Sequence, residues 1–246
     1  MSPENDPRER WPVIVAEYRA LREAERREFA RAPLSERLEA LEALCSFLEE
    51  TERMEGTAVP QPFHEMLRRL HRVLESLGVP YAILGGLAAA LWGIARTTVD
   101  VDVILLVPPE QMPALLRAFH EEGFAVSPMA LQRLQEGRPV KLAFTRRFSV
   151  DLRSASLQLD VQAIRRAREF VLFGIPLRFV APEELIAYKL ARWEPIDQND
   201  VRGVLEAQRD HLDFEYLETA IRGLAEEAGL PELWLRWIHL KEEILG

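Results

Sequence analysis

The sequence predicts a mixed-sheet α/β (α+β) domain flanked by helices at both ends. Three observations carry that reading. From Pro62 onward, short apolar runs of strand character alternate with amphipathic stretches of helical period. One of these runs, VDVDVILLV at 99–107, is dense in β-branched residues, as a strand of a packed sheet is. The first 57 residues and the block from Pro182 to the C-terminus are both helical in pattern. The chain therefore divides into a helical segment (1–57), a central domain (62–181) and a C-terminal helical region (182–246).

Taken in order, WPVIVAEYRALREAERREFA is one amphipathic helix and SERLEALEALCSFLEE a second, with Ser35 placed to cap it. Leu38, Leu41, Leu44 or Cys45, and Leu48 make an apolar stripe at three- and four-residue spacing. This predicts a helical hairpin packed on the main domain or on a second subunit, followed by GTAVPQP as a linker. FHEMLRRLHRVLESLG is helical and stops at Gly78, PYAIL is a short strand running into Gly85 and Gly86, and LAAALW is a short helix closed by Gly93. After VDVDVILLV, Pro108 and Pro109 end the strand and start the helix EQMPALLRAFHEEG. PVKLAFT and RFSVDLR are neighbouring strands, and FVLFGIPLRFV makes two more about Gly174 and Pro176. Pro182 suits the first turn of the closing helical block.

With 246 residues, 48% of them apolar and 29% charged, the chain has room for one sizeable core and the composition of an ordinary globular protein. No apolar run reaches the roughly 18–20 residues of a membrane span, and MSPENDPRER is charged where a signal peptide would be apolar, so a cytoplasmic protein is expected. The single Cys45 excludes an internal disulfide and a cysteine-rich zinc site. A net charge of −9 argues against a general nucleic-acid coat, yet residues 131–180 hold ten Arg or Lys against four acids, a candidate phosphate-facing surface or a solvated mixed face.

The chemistry concentrates in LGGLAAALWGIARTTVDVDVILLV, at 84–107. An ionised carboxylate inside an apolar strand is costly unless it is paired or holds a cation. Successive strand residues point to opposite faces, so Asp100 and Asp102 share one face and Val99, Val101 and Val103 the other. Two carboxylates spaced this way suit oxygen ligation of magnesium or manganese; an edge strand with one wet face is the plain alternative. Gly85 and Gly86 end one strand and open a helix, where unsatisfied N–H groups and the helix dipole can receive phosphate. A third acid would complete a metal centre. Asp151, flanked by Val150 and Leu152 in a strand, is favoured over Asp160, which sits in the less definite pattern LQLDV.

These residues resemble the polymerase-beta-like nucleotidyltransferases: GGLAAALWGIARTTVDVDV followed by FSVDL matches a Gly-Gly or Gly-Ser turn, an acid-x-acid strand and a third acid on a nearby strand. APEELIAYKLARWEPIDQNDVRGVL is similar to the block that follows the catalytic domain in bacterial enzymes of the AbiEii toxin type and their uncharacterised relatives. The resemblance spans residues 62–206. It departs from the small antitoxin-type enzymes, which usually carry Gly-Ser where Gly85 and Gly86 stand. It implies that Asp100, Asp102 and Asp151 bind a metal pair and that Gly85 and Gly86 hold the triphosphate of a nucleoside triphosphate. Lys189 would neutralise phosphate, Asp197 would orient Lys189 or touch substrate, and Arg96 would reach the nucleotide. The implied reaction is metal-dependent transfer of a nucleoside monophosphate to a hydroxyl of RNA, protein or a small molecule, in a setting such as a toxin–antitoxin system; a drug-modifying transferase is a third reading, for which the sequence vouches for no acid-rich acceptor pocket. The reading from another class is a non-catalytic binding module on the same scaffold, an antitoxin-like partner protein. In either case the N-terminal helices are candidate contacts for a partner or for a second copy of the chain, and no membrane is involved.

Overall fold

Strands β1 (Tyr81–Leu84), β2 (Asp100–Leu105), β3 (Val140–Ala143), β4 (Ser149–Ser154), β5 (Arg168–Leu172) and β6 (Ile175–Phe179) form one sheet in the order β3-β4-β2-β1-β6-β5. The structure, a computed structural model, describes residues 29, 32–54, 63–93 and 98–245. The sheet is mixed. β1 runs antiparallel to β2 and parallel to β6, whereas β2 and β4 are parallel. β3 and β5 are antiparallel edge strands on β4 and β6. The inner strands bury alternate residues, with Val101, Val103, Val150 and Leu152 fully enclosed, and this period-two pattern is what the sequence shows.

Helices cover the sheet. α1 (Leu34–Met54) and α2 (Phe63–Ser76) precede it. α3 (Gly85–Trp92), α4 (Met112–Glu121), α5 (Ala130–Gln135) and α6 (Gln158–Arg165) lie between strands, and α7 (Pro182–Arg192), α8 (Pro195–Gln208), α9 (Phe214–Ala228) and α10 (Glu232–Leu245) follow. In α2 the residues Phe63, Met66, Leu67, Leu70, Val73 and Leu74 recur at three- and four-residue steps and are all buried. α3 has no polar face: Gly86 through Trp92 are buried, the Trp92 indole N–H donates to the Val180 carbonyl at 2.8 Å, and Gln208 donates to the Trp92 carbonyl at 3.0 Å.

α1 packs on the domain rather than standing apart. Leu41 and Cys45 enter the same apolar core as the sheet, and the Glu42 carboxylate accepts a hydrogen bond from the Phe173 N–H at 2.5 Å. The first amphipathic stretch of the expected hairpin lies outside the described residues, Phe29 apart. Ser35 is not the cap expected of it. The Pro33 carbonyl accepts from Arg37 N–H, so the helix starts at Leu34 and Ser35 falls inside its first turn. The helix thus begins two residues earlier than a Ser35 cap would place it, with Pro33 as the flanking residue. LQLDV forms the first turn of α6, not a strand. Pro182 stands in the first turn of α7, as expected. Among the described residues no helix is long and apolar enough to cross a membrane.

Candidate active site

The β2–β4 register builds the site. Asp102 pairs with Asp151 and Asp100 with Ser149 across the parallel ladder, so the three carboxylates rise from one face of two adjacent inner strands. The opposite face of the same strands is the apolar core. Burial of Val101, Val103, Val150 and Leu152 thus leaves the acids on the open side; a one-residue slip in either strand would turn its acids into the core.

Asp102 is the most enclosed of the three in its electrostatics. Burial pushes its carboxyl above the usual carboxylate range and the Asp151 charge adds to that, against an opposing pull from Lys189 and Arg192; Asp100 adds a smaller push. Its carboxylate lies against the start of α3. Leu84, the last residue of β1, pairs with Asp102, and the chain turns there into Gly85 with φ +68. A Cβ on Gly85 would stand 1.8 Å from Asp102 Oδ2. Glycine is required at this position both by the left-handed backbone and by the carboxylate. No side chain caps α3, so its first-turn N–H groups beside Asp102 remain available as donors.

Asp100 and Asp151 are held differently. The Lys141 ammonium, from edge strand β3, lies 3.1 Å from Asp100 Oδ1 and 3.1 Å from Asp151 Oδ2. It also donates to Ser149 Oγ at 3.1 Å, and the Ser149 hydroxyl donates to Asp100 Oδ1. Burial would lower the Lys141 pKa, but the hydrogen bonds and charges of Asp151 and Asp100 raise it, so the group stays an ammonium. A cation thus already fits between two of the three acids, and the donor chemistry, hard carboxylate oxygens, suits a magnesium-like ion. As they stand, no group of three His, Cys, Asp or Glu among the described residues is arranged to hold a metal, and Lys141 bridges two of these three acids.

A second polar cluster stands behind Asp102. Lys189, in α7, donates to Asp197 Oδ1 at 2.8 Å and Asp200 Oδ2 at 2.7 Å, and all three are buried. Arg192, one turn on and largely exposed, spans the joint to α8 with two bonds to Asp197 at 2.6 and 2.7 Å. Burial pushes the Asp197 carboxyl up, and Arg192 and Lys189 outweigh it, holding it below the ordinary range. The joint is tight: Trp193 takes a left-handed φ of 58° and its ring lies 5.4 Å from the Arg236 guanidinium.

The predicted residues therefore fall into two groups. Gly85, Gly86, Asp100, Asp102 and Asp151 come together at the sheet, and Lys189 meets Asp197 beside them. Arg96 lies outside the described residues. Asp160, the rival third acid, is occupied elsewhere. Arg153 grips it at 2.8 and 3.0 Å, Tyr188 donates at 2.8 Å, and the Ser156 and Leu157 N–H groups donate at 2.8 and 3.0 Å. Sequence reasoning missed Lys141, Ser149, Arg192 and Asp200. The alternation of PVKLAFT marks Lys141 as outward-facing, and it is one of only three lysines, but which acids it meets depends on strand order. A groove between α6 and α9, lined by Gln158, Gln162, Tyr216 and Glu227 among others, contains none of these residues.

No family model matches the chain, and no curated protein matches it. Solved structures do. The solution structure of the antibiotic-resistance factor ANT(2'')-Ia aligns over 68% of this chain and 92% of its own length, at 16% identity and a TM-score of 0.47. A nucleotidyltransferase-like antigenic protein from Paracoccidioides brasiliensis aligns over 72% of this chain and 91% of its own, at 20% identity and a TM-score of 0.44. The lincomycin-bound lincosamide antibiotic adenylyltransferase LnuA aligns over 58% and 95%, at 14% identity and 0.42. At these scores the likenesses assign no activity to this chain, and the functional reading rests on the site.

Proposed function

We propose that the protein is a divalent-metal-dependent nucleotidyltransferase, moving a nucleoside monophosphate from a nucleoside triphosphate onto a hydroxyl of RNA, protein or a small molecule. The observation that carries the reading is the register of Asp102 with Asp151, with Asp100 two residues upstream and the uncapped start of α3 against Asp102. In the reaction the acceptor oxygen bonds to the α-phosphorus, the bond from that phosphorus to the bridging oxygen breaks, and pyrophosphate leaves. Asp100, Asp102 and Asp151 are the residues that would hold the magnesium or manganese. Bound there, the ion supplies charge neutralisation and acidifies the attacking hydroxyl.

The chain does the rest. The N–H groups at Gly85 and Gly86 receive phosphate oxygens at the positive end of α3. Asp151, beside the open edge, accepts the acceptor's proton. Lys189 acts at a distance: 5% exposed and satisfied by two carboxylates, it contributes positive potential behind Asp102 rather than a phosphate contact. Arg192, with a 59% exposed side chain, is the cation of that helix able to reach a phosphate. A setting like that of the AbiEii-type toxins, with a neutralising partner protein, belongs to the same reading.

The test is direct. The purified chain is incubated with each labelled nucleoside triphosphate, magnesium and cell lysate, and label is sought in RNA, protein and small molecules. Transfer by the wild type and its loss in Asp102→Asn is the expected result. Equal label with and without the protein, for all four nucleotides, refutes the reading.

A further inference from the structure

Lys141 belongs to a different element from the acids it holds. It sits at the middle of edge strand β3, opposite Asp151 in the antiparallel β3–β4 ladder, and its neighbours Val140 and Leu142 are buried while Lys141 itself projects into solvent. Its side chain is 55% exposed even with the ammonium engaged. Little packing therefore fixes it, and a four-carbon stem can swing the charge away at small cost. Yet the ammonium takes one oxygen of Asp100 and one of Asp151, the two acids that flank the more enclosed Asp102. Those are oxygens a divalent ion would need, and an ammonium within contact distance of such an ion repels it.

We propose that Lys141 is a resident counter-cation of the acid cluster, displaced into solvent when the divalent metal binds. The inference rests on the metal-dependent reading above and adds a built-in competitor to it. In the metal-free protein Lys141 neutralises carboxylates that otherwise repel one another. The metal must then displace this one ion-paired ammonium, which weakens apparent affinity and makes loading sensitive to Lys141.

The test uses the full-length chain and manganese as the probe, with free ion followed by paramagnetic resonance. Lys141→Met is expected to bind manganese about tenfold more tightly than wild type and to melt a few degrees lower in chelator. Asp102→Asn, which leaves both Lys141 contacts in place, is expected to lose the tight site and so identifies it. In parallel, the wild-type chain is treated with a lysine-acylating reagent and read by mass spectrometry. Labelling at Lys141 should rise several-fold on adding manganese while Lys241, paired with Glu218 at 2.6 Å, stays constant as the internal reference. Unchanged or weaker manganese binding in Lys141→Met, or Lys141 labelling indifferent to the metal, overturns the inference and leaves the metal site standing. Absence of manganese binding in both proteins overturns the metal-dependent reading and the inference together.

Discussion

Gly85→Ala tests the contact on which the site is built. The residue has φ +68, a conformation that costs a side-chain-bearing residue about 1–2 kcal/mol. The added Cβ would stand 1.8 Å from Asp102 Oδ2 and 2.7 Å from its Cγ, so the carboxylate must leave its rotamer, at a further cost of about 1 kcal/mol. The sum, about 2–3 kcal/mol, lowers the melting temperature by roughly 5–10 °C for a chain of this size. The two terms separate in a double-mutant cycle. In an Asp102→Ala background the nearest contact becomes the Asp102 Cβ position at 3.1 Å, so the steric term largely disappears and only the backbone term remains. Urea unfolding of the four proteins in chelator should give a coupling energy of about 1 kcal/mol. If Gly85→Ala costs the same in both backgrounds, the glycine serves the turn alone and the carboxylate does not press on it.

The remaining predictions concern the neighbouring charges. Asp102→Asn should leave metal-free stability equal or higher in thermal melts, because it removes a half-buried carboxylate pushed up by desolvation and by Asp151, whereas Asp100→Asn should lose up to about 1 kcal/mol with its part-exposed Lys141 pair. Asp160→Asn should destabilise by about 3 kcal/mol in urea titrations, since it leaves the Arg153 guanidinium without its buried counter-charge. The same carboxyl gives a pH signature. Burial raises its pKa but the Arg153, Ser156 and Leu157 bonds lower it further, so its stabilisation is present above the ordinary carboxylate range and is lost as pH falls through the depressed value; that acid loss should be reduced in the variant. Lys189→Met should cost about 3 kcal/mol by removing the ammonium shared by the buried Asp197 and Asp200, Asp197 keeping its Arg192 bonds, read as a lowered urea midpoint; a fully stable variant would return Lys189 to a purely ligand-facing role.

The parts of the site legible in the sequence were those governed by local period. Alternation over VDVDVILLV fixes which face Asp100 and Asp102 share, and Val150 and Leu152 do the same for Asp151; Gly-Gly ahead of a short apolar helix marks the start of α3. What strand order decides was not legible. Nothing local to PVKLAFT says that Lys141 stands opposite Asp151 across an antiparallel ladder, because that depends on β3 lying at the sheet edge next to β4. Short helices also escaped: α5 spans Ala130–Gln135, too few residues for a periodic signal. LQLDV alternates weakly like a strand, but Asp160 gathers the N–H groups of Ser156 and Leu157 and starts a helix instead. Asp197 was legible through the family resemblance and Asp200 was not, because their burial around one ammonium arises only when α7 folds back on α8.

The two walls of the site differ in mechanical character. β2 and β4 are interior to the sheet, each hydrogen-bonded on both sides, with six residue pairs between them. The acids on that wall are therefore a stiff jaw, and their spacing is not adjustable without opening the sheet. The other wall hangs on the turn between Arg192 and Pro195, where a left-handed Trp193 joins two helices latched by Arg192 and Asp197. Amide exchange should therefore be slowest at Val101 and Val150 and faster at the joint between the two helices.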